Sequence, residues 1–189
     1  MGSSQASNLA NHFLMAMPNM ADPNFDGSVV LLAEHSDKGA MGLVINRAMS
    51  LDLSGLFERI GLDLGVSPIG AQPVLFGGPV QTDRGFVLHR PVGAWSSSIV
   101  IGDGVALTSS RDILEAVSAG EGPERFLVTL GYSGWGPGQL EEELSRNAWL
   151  TVPANDGIVF ETPIEQRFQR AFALLGIDPV LLSGHAGHA

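Results

Sequence analysis

The segment from Gly131 to Glu141 combines the residue types in this chain that could do chemistry. Its sequence is GYSGWGPGQLE, and its four glycines and one proline lie between a predicted buried strand and a predicted helix. Glycine and proline together indicate that the backbone turns sharply at this point. The candidate functional residues of the segment are Tyr132, Ser133, Gly134, Trp135, Gly138, Gln139 and Glu141.

Ser133 is a possible nucleophile, because a serine at a strained strand-to-helix turn is exposed in the G-x-S-x-G pattern. The second glycine position of that pattern holds Trp135 in this chain. A base must also reach the hydroxyl, and the histidines that follow, His185 and His188, lie in a predicted flexible tail. The triad is therefore incomplete, and no catalytic residue is predicted.

A glycine-rich turn before a helix could also hold a phosphate, since the first N–H groups of a helix are unpaired and carry a partial positive charge. The dinucleotide pattern fails because Gln139 stands where its last glycine should be, and no Lys-Ser/Thr pair follows. Residues 141–143 are all glutamate, which repels an anion and complements the helix dipole instead. Nucleotide binding is therefore poorly supported.

A third possibility is that the segment contacts a partner protein. Tyr132, Trp135 and Trp149 are large amphipathic side chains, and exposed aromatic residues often anchor interfaces. The alternative is that Trp135 packs into the core, where small glycines let the backbone and the helix approach closely; most tryptophans are largely buried. Both interpretations are open from the sequence.

Three histidines, His12, His35 and His89, each lie at or beside a predicted strand. On adjacent strands they could converge on a metal, with Glu34 or Asp83 completing the site. No helical pair of histidines has the spacing of metal ligands, and a hydrogen-bonded structural histidine is the ordinary case. We therefore predict neither a metal site nor a cofactor.

Length and composition indicate one globular, cytoplasmic domain. The chain has 189 residues, 44% of them hydrophobic, which is typical of a single domain with a substantial core. It has no cysteine, so disulfides, thiolate metal sites and cysteine nucleophiles are excluded. The first ten residues carry no lysine or arginine, unlike a secretion signal, and no apolar run approaches the roughly 18 residues of a membrane span.

The formal net charge of -10 disfavours direct binding to nucleic acid. Such binding requires lysine and arginine to displace counterions from phosphates, and the field of this chain repels a polyanion. Its ten cationic residues are scattered, and no predicted helix presents several of them on one face. We therefore expect protein partners and no nucleic-acid or membrane partner.

The strands that must position these residues follow from short apolar runs bounded by turns. The turn at 36–39 predicts a hairpin, as does Gly102-Asp103-Gly104. The longest predicted strand is Glu124 to Tyr132. The other predicted strands are Ser28–Ala33, Met41–Asn46, Val74–Phe76, Gly85–His89, Ser98–Ile101, Val105–Thr108, Trp149–Val152 and Ile158–Phe160.

About four helices are predicted from apolar spacing and capping residues. The first begins after Asp52 and ends at Gly61; the second begins after Ser109 or Ser110 and ends at Gly120. The third spans Gln139–Arg146, with Asn147 as its C-cap. The fourth begins at Thr162-Pro163, since proline suits the first helical position, and ends at Gly176.

Several motifs, taken together in order, resemble the AlgH/YqgE family of bacterial proteins. They include the segments 11–18, 39–47, 77–80, 131–135 and 138–141, with Asp22-Pro23, Glu34-His35 and Trp149-Leu150. The resemblance runs from about Leu9 to Gly176. It implies a single mixed α/β (α+β) domain in which bent mixed or antiparallel sheets are flanked by helices, in a cytosolic bacterial protein. It implies no activity and supplies no catalytic residues, although some members carry the label of transcriptional regulator.

The sequence thus predicts one domain over residues 9–182, with flexible segments at 1–8 and 183–189. Its leading functional hypothesis is a non-enzymatic interaction or regulatory protein that acts through protein partners. The alternatives are a small-molecule-binding or hydrolase-like protein that uses the Gly131–Glu141 segment, and a transcriptional regulator. Direct DNA binding is disfavoured because no predicted helix presents base-reading side chains.

Overall fold

The computed structural model describes residues 8–16 and 25–176. Within them the chain forms ten strands, five α-helices and two short 3-10 helices, at Pro68–Ala71 and Ile164–Gln166. The strands are β1 (His12–Ala16), β2 (Val29–Ser36), β3 (Gly39–Val44), β4 (Ala48–Asp52), β5 (Pro73–Phe76), β6 (Val80–Arg90), β7 (Ser98–Gly102), β8 (Val105–Thr108), β9 (Arg125–Trp135) and β10 (Trp149–Pro153). The helices are α1 (Leu53–Arg59), α2 (Arg111–Ser118), α3 (Gln139–Ser145), α4 (Asp156–Phe160) and α5 (Arg167–Ala173).

All ten strands belong to one sheet, with the order β10-β1-β2-β3-β9-β6-β8-β7 and with β5 joining β4 to β9. The β5–β9 pair is parallel, and the other pairs are antiparallel. The central strand β9 pairs with β6 along most of its length and with β3 at its end. The predicted mixed α+β single-domain fold is confirmed.

Apolar clusters cover both faces of the sheet, because successive strand residues point to opposite faces. Leu31 and Leu88 lie in a cluster with α4 and α5 on one face. On the opposite face, Leu32 packs in a cluster with α3, and Val87 packs in a cluster with α1 and α2. The fully covered middle strands explain why their sequences show little alternation.

The starts of α1 and α2 agree with the prediction, and of these two helices only α1 has a side-chain capping hydrogen bond. The Asp52 side chain accepts a hydrogen bond from Gly55 N at 2.9 Å at the start of α1, and Ser110 is the N-cap of α2. Gly61 and Gly120 follow these helices with φ values of 79° and 80°. No helix among residues 8–16 and 25–176 is long and apolar enough to cross a bilayer.

Several predicted elements differ from the observed ones. The predicted strand Ile158–Phe160 is wrong, since these residues belong to α4, whose N-cap Asn155 accepts a hydrogen bond from Ile158 N. An apolar run of three residues has no period that distinguishes a strand from a helix. Asn147 is not the C-cap of α3; Arg146 is, and Asn147 follows with φ 60°. β1 and β4 were not predicted.

The C-terminal helical stripe is divided rather than continuous. After Pro163 the chain forms a 3-10 turn before α5 begins at Arg167. The buried guanidinium of Arg167 donates from Nε to Thr162 O at 2.9 Å and from Nη1 to Ile45 O at 2.5 Å. Burial lowers the pKa of Arg167 to about 10, so the side chain stays charged and attaches α5 to the end of β3 at neutral pH.

The predicted flexible ends, residues 1–8 and 183–189, lie outside the described residues except for Asn8, which is exposed. His185, His188 and the motif at Asp22-Pro23 also lie outside them. The predicted domain limits of 9 and 182 therefore stay predictions.

Candidate functional site

The Gly131–Glu141 segment contains the end of β9, a short turn and the first residues of α3. β9 continues to Trp135, and the turn consists of residues 136–138 before α3 begins at Gln139. Gly131 has φ 78° inside β9. Tyr132 consequently lies on the same face as Leu127, although strict alternation would place it on the other face. The predicted turn between the strand and the helix is present, but it is confined to residues 136–138, because β9 extends three residues beyond its predicted end at Tyr132.

Ser133 is fully buried, and its hydroxyl donates to Gly77 O at 3.2 Å. A hydroxyl that is enclosed and already donated to a backbone carbonyl is not placed to attack a substrate. The bond to Gly77 O is the only hydrogen bond that the Ser133 side chain makes among the described residues. The structure thus gives Ser133 a packing role between β9 and the segment after β5.

Trp135 is 7% exposed and Trp149 is 5% exposed, with ring centroids 5.8 Å apart in an edge-to-face arrangement. Both indole N–H groups donate to Glu143 Oε1 at 2.9 Å. Gln139 Nε2 donates to Glu143 Oε2 at 3.0 Å, and Gln139 Oε1 accepts from Gly136 N at 2.9 Å. Trp135 and Trp149 are therefore core residues that a single carboxylate holds in place.

His35 and Glu141, two of the predicted candidates, lie in direct contact. His35 Nδ1 accepts from Leu9 N at 3.0 Å, so Nε2 carries the proton that it donates to Glu141 Oε2 at 2.7 Å. This hydrogen bond from His35 is the main cause that lowers the pKa of Glu141. The pair attaches α3 and the segment before β1 to β2, and its histidine is nearly buried.

The three histidines do not converge. His12 Nδ1 donates to Ala10 O at 3.2 Å on β1, whereas His89 is enclosed in β6 on a distant part of the sheet. Among residues 8–16 and 25–176, no three histidine or carboxylate side chains are grouped as metal ligands. Glu34 and Asp83 are exposed and do not join them.

His89 is fully buried and belongs to a chain of hydroxyl groups. Its Nδ1 donates to Pro91 O at 2.9 Å, so Nε2 accepts from Thr108 Oγ1 at 2.7 Å. Thr108 Oγ1 lies 2.9 Å from Ser98 Oγ, at the edge of the sheet. Burial is the main cause that lowers the pKa of His89 from its ordinary value of 6.5. Burial in the folded state therefore favours the neutral imidazole at this position.

The stability of the protein should fall when the pH drops below about 6.5, because the unfolded chain then takes up a proton on His89 that the folded chain resists. The loss continues until the pH reaches the lowered pKa of the folded state. This window begins at a higher pH than that of Glu141, whose pKa is lowered from 4.5. Urea unfolding between about pH 7.5 and 5.5 measures the slope. In His89→Gln the slope should flatten; an unchanged slope would contradict the assignment.

A cleft of about 820 Å³ opens on the sheet face that α4 and α5 partly cover. Its floor is apolar and comes from five strands, through Met41 (β3), Phe86 (β6), Ile99 (β7), Leu107 (β8) and Tyr132 (β9). Polar rim residues surround this floor: Glu34, Arg84, Ser96, Ser97 and Ser109. We call this feature the sheet cleft.

Arg84 is the cationic residue of the sheet cleft. Its guanidinium lies 5.3 Å from the centroid of the Phe86 ring and donates to Gln81 Oε1 and Ser109 Oγ, each at 3.2 Å. It forms no ion pair with a carboxylate in the part of the chain that the structure describes. An exposed arginine held over an aromatic ring is suited to bind a carboxylate or a phosphate.

Of the candidate residues predicted from the sequence, Glu34, Tyr132, Gly134 and Trp135 line the sheet cleft. The strand that carries Arg84 was predicted to begin at Gly85, so the pairing of Arg84 and Phe86 on one strand face was missed. Their i, i+2 spacing was the available signal. The remaining floor residues are remote in sequence, and only strand pairing brings them together.

Comparison with known proteins identifies the family. A sequence model described as AlgH-like matches residues 13–180. The chain is 61% identical over 182 residues to a UPF0301 protein from Cupriavidus pinatubonensis, covering 96% of each chain. It is also 61% identical over 184 residues to one from Burkholderia vietnamiensis, again covering 96% of each.

Solved structures agree with this result. The solution structure of the AlgH protein from Pseudomonas aeruginosa superposes with a TM-score of 0.80, at 48% identity and with 100% of both chains covered. A crystal structure of a protein from Corynebacterium diphtheriae shares the fold, with a TM-score of 0.62 at 20% identity over 79% of this chain and 78% of that one. The chain belongs to the AlgH-like family.

Proposed function

We propose that this protein is a non-enzymatic cytoplasmic interaction protein, and that it binds an extended, mostly apolar segment of a protein partner in the sheet cleft. The observation that carries the proposal is an apolar floor built from five strands beneath a polar rim. Apolar concave surfaces with a few convergent polar groups are the usual sites of binding. Met41, Ile99 and Tyr132 are only half-buried on this floor, so a ligand could cover them.

The charges of the sheet cleft define the chemistry of the bound segment. Arg84 lacks a carboxylate partner among the described residues and lies beside apolar side chains. A bound segment that carries one aspartate or glutamate among apolar residues would complement this arrangement. Glu34, which also lines the sheet cleft, disfavours a ligand that is anionic throughout. The proposed segment is therefore amphipathic and not a polyanion.

Catalysis receives no support from the arrangement. The candidate nucleophile Ser133 is enclosed, and the candidate histidines are engaged by backbone groups, by Glu141 or by Thr108. Direct DNA binding is also disfavoured, because Arg90, Arg111, Arg125 and Arg146 all pair with carboxylates.

Peptides selected against the protein from a displayed library of short random sequences test the proposal. Those peptides should lose about tenfold in affinity on Arg84→Ala when they carry a carboxylate, because a charge-assisted hydrogen bond is lost. Met41→Gln, which approximately keeps the shape of the side chain, should lower the affinity for apolar peptides by a similar factor. Isothermal titration calorimetry measures both effects.

Arg59→Ala is the matched control, since Arg59 is exposed on α1, outside the sheet cleft, and its removal changes the net charge equally. Its peptide affinity should equal that of the wild type. Failure to enrich any peptide, or equal affinities for wild type and both cleft variants, would refute the proposal.

A small-molecule ligand is the second candidate, because 820 Å³ lies within the usual range of ligand pockets. Native mass spectrometry of protein purified from its host would decide between the two. This candidate would be favoured if the wild-type protein retains a small molecule, the Met41→Gln variant does not, and no peptide is enriched from the library.

A further inference from the structure

The edge strand β7 lies at one end of the sheet and borders the sheet cleft. It pairs with β8 on one side, and no described strand pairs with it on the other. Its sequence, SIVIG, contains neither a charged residue nor a proline. Folded proteins usually protect an open edge with lysine, proline or a covering element. Val100 is 65% exposed on this strand, and among the described residues the side chain of Asn11 packs against Gly102 at the end of β7.

The open backbone groups of β7 can be assigned from its contacts with β8. Ser97 O accepts from Ser109 N at 2.9 Å, and Ser97 N donates to Ser110 Oγ at 3.0 Å, so Ser97 faces β8. Both backbone groups of a strand residue point to the same side, and successive residues alternate in an antiparallel ladder. Ser98 and Val100 therefore direct their N–H and C=O groups away from β8.

The other end of the sheet is less accessible. β10 ends at Pro153, which cannot donate a backbone hydrogen bond. Its middle residues, Leu150 to Val152, are half-buried, in contrast to Val100. Of these two ends, β7 is the one that is open to a further strand.

The position of β7 connects its edge to the sheet cleft. Ile99 belongs to the cleft floor, whereas Ser98, which also lines the cleft, directs its hydroxyl to Thr108 Oγ1, and Val100 points its side chain to the face opposite Ile99. A strand added beside β7 would place every second side chain on the same face as Ile99. These side chains would lie next to the apolar floor of the sheet cleft, whose rim includes Arg84. Backbone pairing would supply affinity, and the cleft would select the alternate side chains.

We propose that β7 is a strand-addition site, at which an extended peptide segment pairs with Ser98 and Val100 and directs alternate apolar side chains into the sheet cleft. This inference rests on the proposed function, since it specifies how the partner segment binds there. The occupant is a segment of a different protein, because two copies of this chain, each with a net charge of -10, repel each other.

Val100→Pro tests the pairing directly. Proline removes the outward N–H of Val100 and leaves the ladder with β8 intact, which is why edge strands tolerate it. The peptides selected on the wild type should bind this variant at least about tenfold more weakly. Val100→Thr is the control; it keeps the N–H group and the β-branched shape, and it should bind within about twofold of the wild type.

A scan of N-methylated peptides provides a readout that does not require a variant protein. Methylation at successive peptide positions should reduce affinity at every second position, because alternate N–H groups of a strand face its neighbour. Amide hydrogen exchange at Ser98 and Val100 should also slow when the peptide binds. These two measurements decide the question even if Val100→Pro fails to fold.

The outcomes separate this inference from the proposed function. If Arg84→Ala and Met41→Gln weaken binding while Val100→Pro and the N-methylated peptides bind normally, the segment lies in the sheet cleft without strand pairing, and the inference is overturned. If none of the changes weakens binding, the proposed function falls too. A wild-type dimer in sedimentation that Val100→Pro dissociates would show a second copy on β7 and would also overturn the inference.

Discussion

Replacing Gly131 with alanine is expected to lower the free energy of unfolding by more than about 3 kcal/mol. Gly131 has φ 78°, and an alanine Cβ at this position would lie 2.3 Å from Gly78 O. The obstructing atom belongs to backbone and cannot rotate away. Gly78 is equally confined, since its own Cβ would lie 2.2 Å from the carbonyl of Tyr132. β9 and the segment after β5 approach so closely that neither backbone accommodates a side chain.

Gly138→Ala is the matched control for this prediction. Gly138 has φ 74°, nearly the same backbone conformation, but nothing lies within 4 Å of the position that its Cβ would occupy. Its substitution should cost only the strain of a left-handed backbone, about 1–2 kcal/mol. Urea unfolding followed by circular dichroism measures both variants. Equal losses would mean that backbone conformation, and not the close approach, explains Gly131.

Glu143→Ala is expected to destabilise the protein by about 2–5 kcal/mol, because two buried indole N–H groups lose their acceptor. Trp135 and Trp149 both donate to the same carboxylate oxygen at 2.9 Å, and both are nearly buried. Tryptophan emission in the folded state should also change as the rings lose this contact. Unfolding in urea and the emission spectrum measure these effects.

The control lies on the same helix. Glu142 is exposed and pairs with Arg146 at i, i+4, so Glu142→Ala should cost no more than about 0.5 kcal/mol. The loss of stability in Glu143→Gln should lie between those of Glu143→Ala and Glu142→Ala, since an amide oxygen still accepts a hydrogen bond from an indole. A Glu143→Ala variant as stable as Glu142→Ala would show that the shared carboxylate contributes nothing to the fold.

Both predictions assign a structural role to the most unusual segment of the sequence. Gly131 lets β9 and the segment after β5 approach closely, and Trp135 and Gln139 meet Trp149 at Glu143. Tyr132 is different, since it is half-buried on the floor of the sheet cleft. The functional surface that we propose therefore lies beside the segment and not at its turn.

The parts of the fold that local chemistry specifies were predicted well. Asp52 and Ser110 begin helices, Gly61 and Gly120 follow their ends, and Gly102-Asp103-Gly104 joins a hairpin. In each case the residues that begin or end the element are only a few positions apart in sequence, so the local backbone geometry depends little on the rest of the chain.

Errors arose where tertiary contacts override local preference. The run Ile158–Phe160 is rich in strand-forming residues and is nevertheless helical, because Asn155 caps it and all three of its side chains pack in the apolar cluster of the sheet. The glycines of β9 indicate a loop in isolation. They form a strand because β3 and β6 pair with the backbone on either side.

The sequence by itself determined the family, the mixed α+β class, the acidic surface and the ends of most helices. Ordered motifs, composition and short-range hydrogen bonds suffice for these features. Only the tertiary structure decided that Trp135 is enclosed, that His35 meets Glu141, and that β7 has an open edge beside a cleft. The reason is that strand order and register depend on the free energy of the whole sheet, in which residues far apart in sequence become neighbours.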